Sequence, residues 1–445
     1  MEMTSLKTIL QNSGIAGCGG AGFPAYAKLS DKIDTVILNC AECEPLFKLH
    51  RQLLEANAEE IIATMDMLCT AMHAERFIVA VKGAYKKTVD AANAAIKDYA
   101  RGSVCLLEEV YPAGDEVITV YEATGRIVPA GGIPAMVGCV VYNVETVLNI
   151  HRAIEEDKAV THKYVTVAGE VKNPATYRVP IGMRYDELVA LCGGVTVEEP
   201  VYFAGGPMTG KIAAASDVVT KTTNGILIMP QNHYIIQKRM QKTKVSIART
   251  MSTCCQCRGC TDLCPRNLLG HPITPSDFMR AASNSDVRQT EAVLGALYCS
   301  QCGLCEMYSC IQGLNPRSLL SEAKMSFAKQ GIRPIVVENN DSAKPERPYR
   351  KVPMRRLIAR LNLEKYDVAA PVKTEEIQPA QVKLQLSQHI GKPATAIVKK
   401  GDKVQAGQLL AEAAKDALSL PVHASIDGEV IKVTDTAIVL KGTKK

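Results

Sequence analysis

The sequence predicts a multidomain chain of α/β and α+β class, and three observations carry that reading. Strand-like and helix-like segments alternate over residues 1–155. Nine of the sixteen cysteines crowd into residues 250–312, and short β-like runs with glycine turns fill residues 376–445. A chain of 445 residues also exceeds what one hydrophobic core supports.

In the first unit, residues 1–155, the segments 35–40 (TVILNC), 76–81 (RFIVAV) and 103–108 (SVCLLE) read as short buried strands. Between them, 51–74 and 85–100 carry apolar residues at helical period. Such alternation implies a largely parallel sheet covered by helices. Over residues 160–235 the pattern changes: YVTVAGEV, VPIGMRYDELVALCGG and PVYFAGGPMTG predict short strands around one helix, a small α+β module. Residues 245–330 form the cysteine-rich unit. Residues 331–375 read as a linker, in which 344–361 (KPERPYRKVPMRRLIARL) is expected to be a solvated tether ending in a short helix. Residues 376–445 predict a small β-barrel or sandwich.

Composition narrows the function. No run of eighteen apolar residues exists, so no membrane-spanning helix is expected. A net charge of +6, no Trp and six Phe argue against a nucleic-acid partner. Sixteen cysteines without a secretory signal point to a reducing, cytoplasmic setting where thiols bind metal.

Cys254, Cys257, Cys260 and Cys264 stand as C-x2-C-x2-C-x3-C, with Pro265 directly after. In this ferredoxin run the fourth cysteine ligates the other cluster. Three closely spaced thiols wrap three corners of a cubane, and the next turn carries the fourth sulfur away. A second run is Cys299, Cys302, Cys305 and Cys310. The cross-over rule assigns Cys254, Cys257, Cys260 and Cys310 to one [4Fe–4S] cluster, and Cys299, Cys302, Cys305 and Cys264 to the other. The second run has one extra residue before its last cysteine and Ile311 in place of proline, so Cys255 is an alternative to Cys310. Zinc sites built from C-x2-C pairs would use four thiols and leave four at ferredoxin spacing unexplained. Clusters carry single electrons, so a donor of electron pairs calls for a flavin between. The other cysteines read as buried, inert thiols.

Residues 14–28 (GIAGCGGAGFPAYAK) hold five glycines within nine residues. Gly17, Gly19 and Gly22 match G-x-G-x-x-G, but a helix-like segment precedes them and the first strand follows, so this is no ordinary dinucleotide fingerprint. What remains is a backbone run open to a phosphate or flat ring, with Lys28 as counter-charge. Residues 39–45 (NCAECEP) place Asn39, Glu42 and Glu44 at the end of a predicted strand, where open α/β sheets bind ligands. Residues 111–116 (YPAGDE) and 142–146 (YNVET) add a turn and a helix start.

These four motifs resemble the FMN-binding domain shared by the NADH-oxidising subunit of complex I and the C subunit of the Rnf electron-transport complex. The 160–235 module resembles their β-grasp (SLBB) domain. Residues 388–433 resemble the barrel-sandwich module of the Rnf protein, which stands last here rather than first. That order resembles the cobalamin reductases of bacterial propanediol-utilisation microcompartments. The resemblance implies a Rossmann-like FMN-binding domain, a β-grasp (SLBB) domain, a two-cluster ferredoxin-like domain and a C-terminal barrel-sandwich hybrid domain. It implies that Gly17, Gly19, Gly20, Ala21, Gly22 and Lys28 cradle FMN, and that Asn39, Glu42, Tyr111, Gly114, Asn143 and Thr146 line its rings and ribityl chain. Glu44 and Glu116, with Phe23, would face the NADH donor. The implied activity passes electrons from NADH through FMN and two [4Fe–4S] clusters to cobalamin, with a corrinoid adenosyltransferase as partner and a microcompartment as setting. The alternatives are a non-catalytic electron-transfer adaptor and a diverged Rnf-type subunit. Neither Lys415, outside a lipoyl-type context, nor His423 is expected to carry a prosthetic group.

Overall fold

The computed structural model describes residues 1–286, 288–337 and 342–443, so Val287, residues 338–341 of the expected linker and the last two residues lie outside the described residues. The apolar runs of the N-terminal unit form β1 (Thr35–Cys40), β2 (Arg76–Lys82), β3 (Gly102–Leu107), the short β4 (Val110–Tyr111) and β5 (Cys139–Asn143). Four of these make one parallel sheet in the order β3-β2-β1-β5. All six residues of β1 are buried, as a parallel strand covered on both faces requires.

The helices are α1 (Met3–Asn12), α2 (Leu49–Ala56), α3 (Ala58–Met72), α4 (Lys86–Ile96), α5 (Glu116–Thr124) and α6 (Val144–Glu155). The single helix expected over 51–74 is two, because Asn57 leaves the helical region at φ −138°. Val36 and Leu38 of β1 pack with α2, α3 and α6, while Ile37 packs with Val117 and Val120 of α5. Register sets Asn39 of β1 beside Asn143 of β5, at the carboxyl edge where such sheets bind ligands.

The second unit contains β6 (His162–Gly169), β7 (Ala175–Pro180), α7 (Tyr185–Leu191), β8 (Pro200–Ala204), β9 (Lys211–Ala213) and β10 (Gly225–Pro230). Its strands run β7-β6-β10-β8-β9, with Val372–Lys373 added at the β7 edge. Lys163 of β6 buries its ammonium against Glu145 of α6, with side chains 0% and 1% exposed, which fixes this unit to the first. The cysteine-rich unit is a set of short helices around Ile273, Phe278, Leu319 and Leu320. Two small sheets make the C-terminal unit, and Leu410, Val430, Ile438 and Leu440 extend the core of the N-terminal unit. No helix among the described residues is long and apolar enough to cross a membrane.

The stretch 344–361 is not the solvated tether expected from its basic composition. Val352–Pro353 pairs antiparallel with β4, and the helix Met354–Arg360 inserts Met354, Leu357 and Ile358 into a core with Tyr111 and Phe203. Its basic heads find carboxylates: Arg347 meets Glu122, and Lys351 meets Glu108, each at 2.6 Å. Apolar residues at helical spacing outweigh the charge count, since long basic side chains bury their stems and keep their heads in ion pairs.

Candidate active site

The glycine run lies across the N-terminus of α6. The Cys18 N–H donates to Thr146 Oγ1 at 2.9 Å, and the Gly17 N–H closes the loop on the Phe23 carbonyl at 2.9 Å. Gly19 and Gly22 hold left-handed φ of +99° and +74°. The loop tip, Gly19, Gly20 and Ala21, is exposed. A Cβ on Gly20 would meet nothing within 4 Å, whereas one on Gly22 would stand 2.8 Å from Thr222 Cγ2 and 3.2 Å from His389 Cα. The loop therefore has an open face and a face packed on the second and C-terminal units.

Beneath it, Asn39 Nδ2 donates to the Gly114 carbonyl at 2.9 Å. A Cβ on Gly114 would press on Ala41 Cβ and Cys43 Sγ, each at 3.3 Å. Glu42 is buried, which raises its pKa. Its Oε1 accepts from the His50 N–H at 2.9 Å, and its Oε2 pairs with Arg51 Nε at 3.9 Å. A glycine-rich loop over a helix N-terminus fits a phosphorylated flavin.

Two expected roles meet other partners. Lys28, expected as counter-charge, donates to Glu116 Oε1 at 3.0 Å and to the Val141 carbonyl at 2.8 Å, 6.0 Å from the Phe23 ring centroid. Glu44, expected to face the donor, accepts from the Met208 and Thr209 N–H groups at 2.9 Å and from the Thr209 hydroxyl. Its carboxylate locks a loop of the second unit onto the first instead of facing open space. Glu116 stays 43% exposed beside Phe23 and Lys28.

The turn before α5 ties this region to the cysteines. The Tyr111 hydroxyl donates to the Cys302 carbonyl. Asp115 caps α5 through the Val117 N–H at 3.0 Å and also pairs with Arg266 at 2.9 Å, next but one after Cys264. Cys264, Cys299, Cys302 and Cys305 line one cavity with Arg266 and Arg317. Cys260 has Cys254, Cys257 and Cys310 as neighbouring thiols. Cys255, the alternative to Cys310, is exposed. The first set is the more buried, and Cys257 of the second is exposed.

Three residues near the loop escape sequence reasoning: His50, Lys221 and Asn224. His50 follows the NCAECEP motif closely, and Asn224 sits in a T-T-N-G turn, so each reads as ordinary. Lys221 is buried and donates to the carbonyls of Gly14 at 2.7 Å and Pro421 at 3.0 Å, while its N–H bonds Gln388 Oε1 at 3.0 Å. It pins three units together. Burial pushes its pKa down to about 7 from 10.5; Cys18, His389 and His423 are its titratable neighbours. Between those values the unfolded chain holds a proton that the folded chain has released, so stability rises with pH by up to about 1.4 kcal/mol per unit. In urea unfolding at pH 7 and pH 9, Lys221→Met is expected to lack this contribution, so wild type gains on the variant as pH rises.

Four family models match the chain: the Nuo51 FMN-binding domain over residues 10–152, the SLBB domain over 164–211, a 4Fe-4S dicluster domain over 253–315 and the RnfC barrel sandwich hybrid domain over 364–444. The cobalamin reductase PduS of Salmonella typhimurium is 42% identical over 99% of this chain and 97% of its own. The chain belongs to the PduS family of cobalamin reductases. As a member it is an oxidoreductase with an FMN-binding unit and an iron–sulfur unit. The C subunit of the Na(+)-translocating ferredoxin:NAD(+) oxidoreductase complex of Acetobacterium woodii is 32% identical over 62% of this chain and 61% of its own. An NAD+-reducing [NiFe]-hydrogenase in the H2-reduced state shares the fold, with a TM-score of 0.50 and 19% identity. That likeness covers 75% of this chain and 64% of that one.

Proposed function

We propose that this PduS-family protein is an NADH-dependent reductase that carries electrons from FMN through two [4Fe–4S] clusters to cobalamin, taking cob(III)alamin to cob(II)alamin. The observation that carries the proposal is continuity: one turn accepts from Asn39 at the sheet edge through its Gly114 carbonyl, while its Tyr111 and Asp115 touch Cys302 and Arg266. When bound, a flavin takes two electrons together and releases them singly, and a cubane relays one at a time.

In this reading the loop 17–22, Asn39, Gly114, Asn143 and Thr146 hold the flavin. Glu116 and Phe23 face the nicotinamide, and Lys28 holds the Glu116 carboxylate in place. Glu44 acts at one remove, by fixing the 206–209 loop. Cys264, Cys299, Cys302 and Cys305 hold the cluster nearer the flavin. Cys254, Cys257, Cys260 and Cys310 hold the farther one, whose greater exposure suits delivery to a docked corrinoid or its adenosyltransferase. The units fall at 1–155, 160–235, 245–330 and 376–445; in the connector 331–375, Val352, Met354, Leu357 and Ile358 pack into a core.

Anaerobic mixing of the flavin- and iron-loaded protein with NADH and hydroxocobalamin tests the proposal. Bleaching of flavin and cluster absorbance with formation of cob(II)alamin is expected. Bleaching with cobalamin left oxidised would remove cobalamin as acceptor, and no bleaching would remove NADH as donor.

A further inference from the structure

Side chains of two units converge on Gly19. A Cβ on Gly19 would stand 2.8 Å from Asn224 Nδ2 of the second unit and 3.3 Å from both Asn143 Nδ2 and His50 Cε1. Asn143 holds the N-cap position of α6, yet its side chain does not cap the helix. His50 is 7% exposed and its Nε2 has no hydrogen-bond partner, and Asn224 brings its Nδ2 donor to the same side of the loop. A buried polar atom left unpaired costs about 1–3 kcal/mol, so such a group calls for a ligand.

The chemistry of these side chains selects that ligand. Burial, with the charge of Lys163 adding to it, pushes the His50 pKa down to about 3, so the ring is neutral and offers a donor as well as an acceptor. Lys28 is committed to Glu116 and the Val141 carbonyl. An anion above Gly19 would therefore be met by neutral donors: side-chain amides, loop N–H groups and the positive end of the twelve-residue α6. That is the environment of a phosphate monoester rather than of a flat ring.

We infer that the SLBB unit completes the flavin site, with Asn224 donating its side-chain amide to the terminal phosphate of FMN beside Asn143, and with His50 backing the same group. The inference rests on the flavin reading and adds a phosphate-recognising residue from outside the FMN-binding unit. Lys221, three residues earlier in the chain and bonded to Gly14 and Pro421, holds this segment against the loop as a positioning residue.

Flavin-fluorescence quenching tests it, by titrating the full-length protein freed of flavin with FMN and separately with riboflavin, which lacks the phosphate. Asn224→Ala is expected to weaken FMN binding roughly tenfold, the worth of one hydrogen bond to a charged group, and to leave riboflavin nearly unchanged. Asn224→Asp keeps the size and sets a negative charge against the phosphate, so it should weaken FMN further, again sparing riboflavin. Equal FMN affinity in wild type and both variants would overturn the inference. Parallel loss of FMN and riboflavin would also overturn it, by making Asn224 merely structural. A wild-type protein that binds neither flavin would overturn the flavin reading itself.

Discussion

Cys299→Ala is expected to leave NADH bleaching of the flavin intact while cob(II)alamin formation falls more than about a hundredfold, because a lost thiolate ligand opens the cluster. The position matters. The two cysteine runs align as C-C-Q-C and C-S-Q-C, with Gln256 and Gln301 both in left-handed conformations, at φ +53° and +63°. Cys255 is thus the counterpart of Ser300. A spare thiol stands beside Cys254 and Cys257 in one run, and none stands in the matching place beside Cys299. Cys257→Ala should therefore retain more activity than Cys299→Ala. Stopped-flow absorbance separates flavin reduction from corrinoid reduction in each variant. Full corrinoid reduction by Cys299→Ala would sink the relay.

Gly22→Ala is expected to lower both the thermal midpoint of the flavin-free protein and its affinity for FMN, the affinity by roughly tenfold or more. The left-handed φ of +74° alone costs an L-residue about 1–2 kcal/mol. The new methyl would also press on Thr222 Cγ2 at 2.8 Å and on the Gln388 carbonyl at 3.3 Å, backbone that cannot swing aside. Gly20→Ala makes the contrast. Its Cβ meets nothing within 4 Å, so the flavin-free protein should melt as wild type does while FMN binding weakens, because the methyl enters the ligand's space. Paired melting curves and flavin titrations read both quantities. Equal behaviour of the two variants would contradict the division of the loop into a packed face and an open one.

How far the sequence carries depends on whether a feature is local. The strands at 35–40 and 76–81 are legible because continuous apolar runs of that length belong to buried parallel strands. The cysteine spacing is legible because cluster geometry is written in short-range intervals. What is not legible is built by contacts between distant segments. Asn224 reaches Gly19 across about two hundred positions, and an asparagine before glycine ordinarily signals only a turn. Glu44 looks like a donor-facing carboxylate until the Met208 and Thr209 N–H groups occupy it. Lys28 looks like a phosphate counter-charge until Glu116 takes its ammonium. The basic run at 344–361 conceals Leu357, which is 0% exposed, because charge dominates a window in which only a few apolar residues at helical spacing pack.

The central claim is that the cysteine unit holds two cubanes in electronic contact with the flavin. Low-temperature EPR of the anaerobic protein after stoichiometric NADH, with iron and zinc analysis of the same sample, tests it most directly. The account predicts iron for two [4Fe–4S] clusters per chain and a signal broadened by interaction between neighbouring paramagnetic clusters. Zinc in place of iron, iron for a single cluster, or clusters that stay oxidised while the flavin bleaches would contradict it.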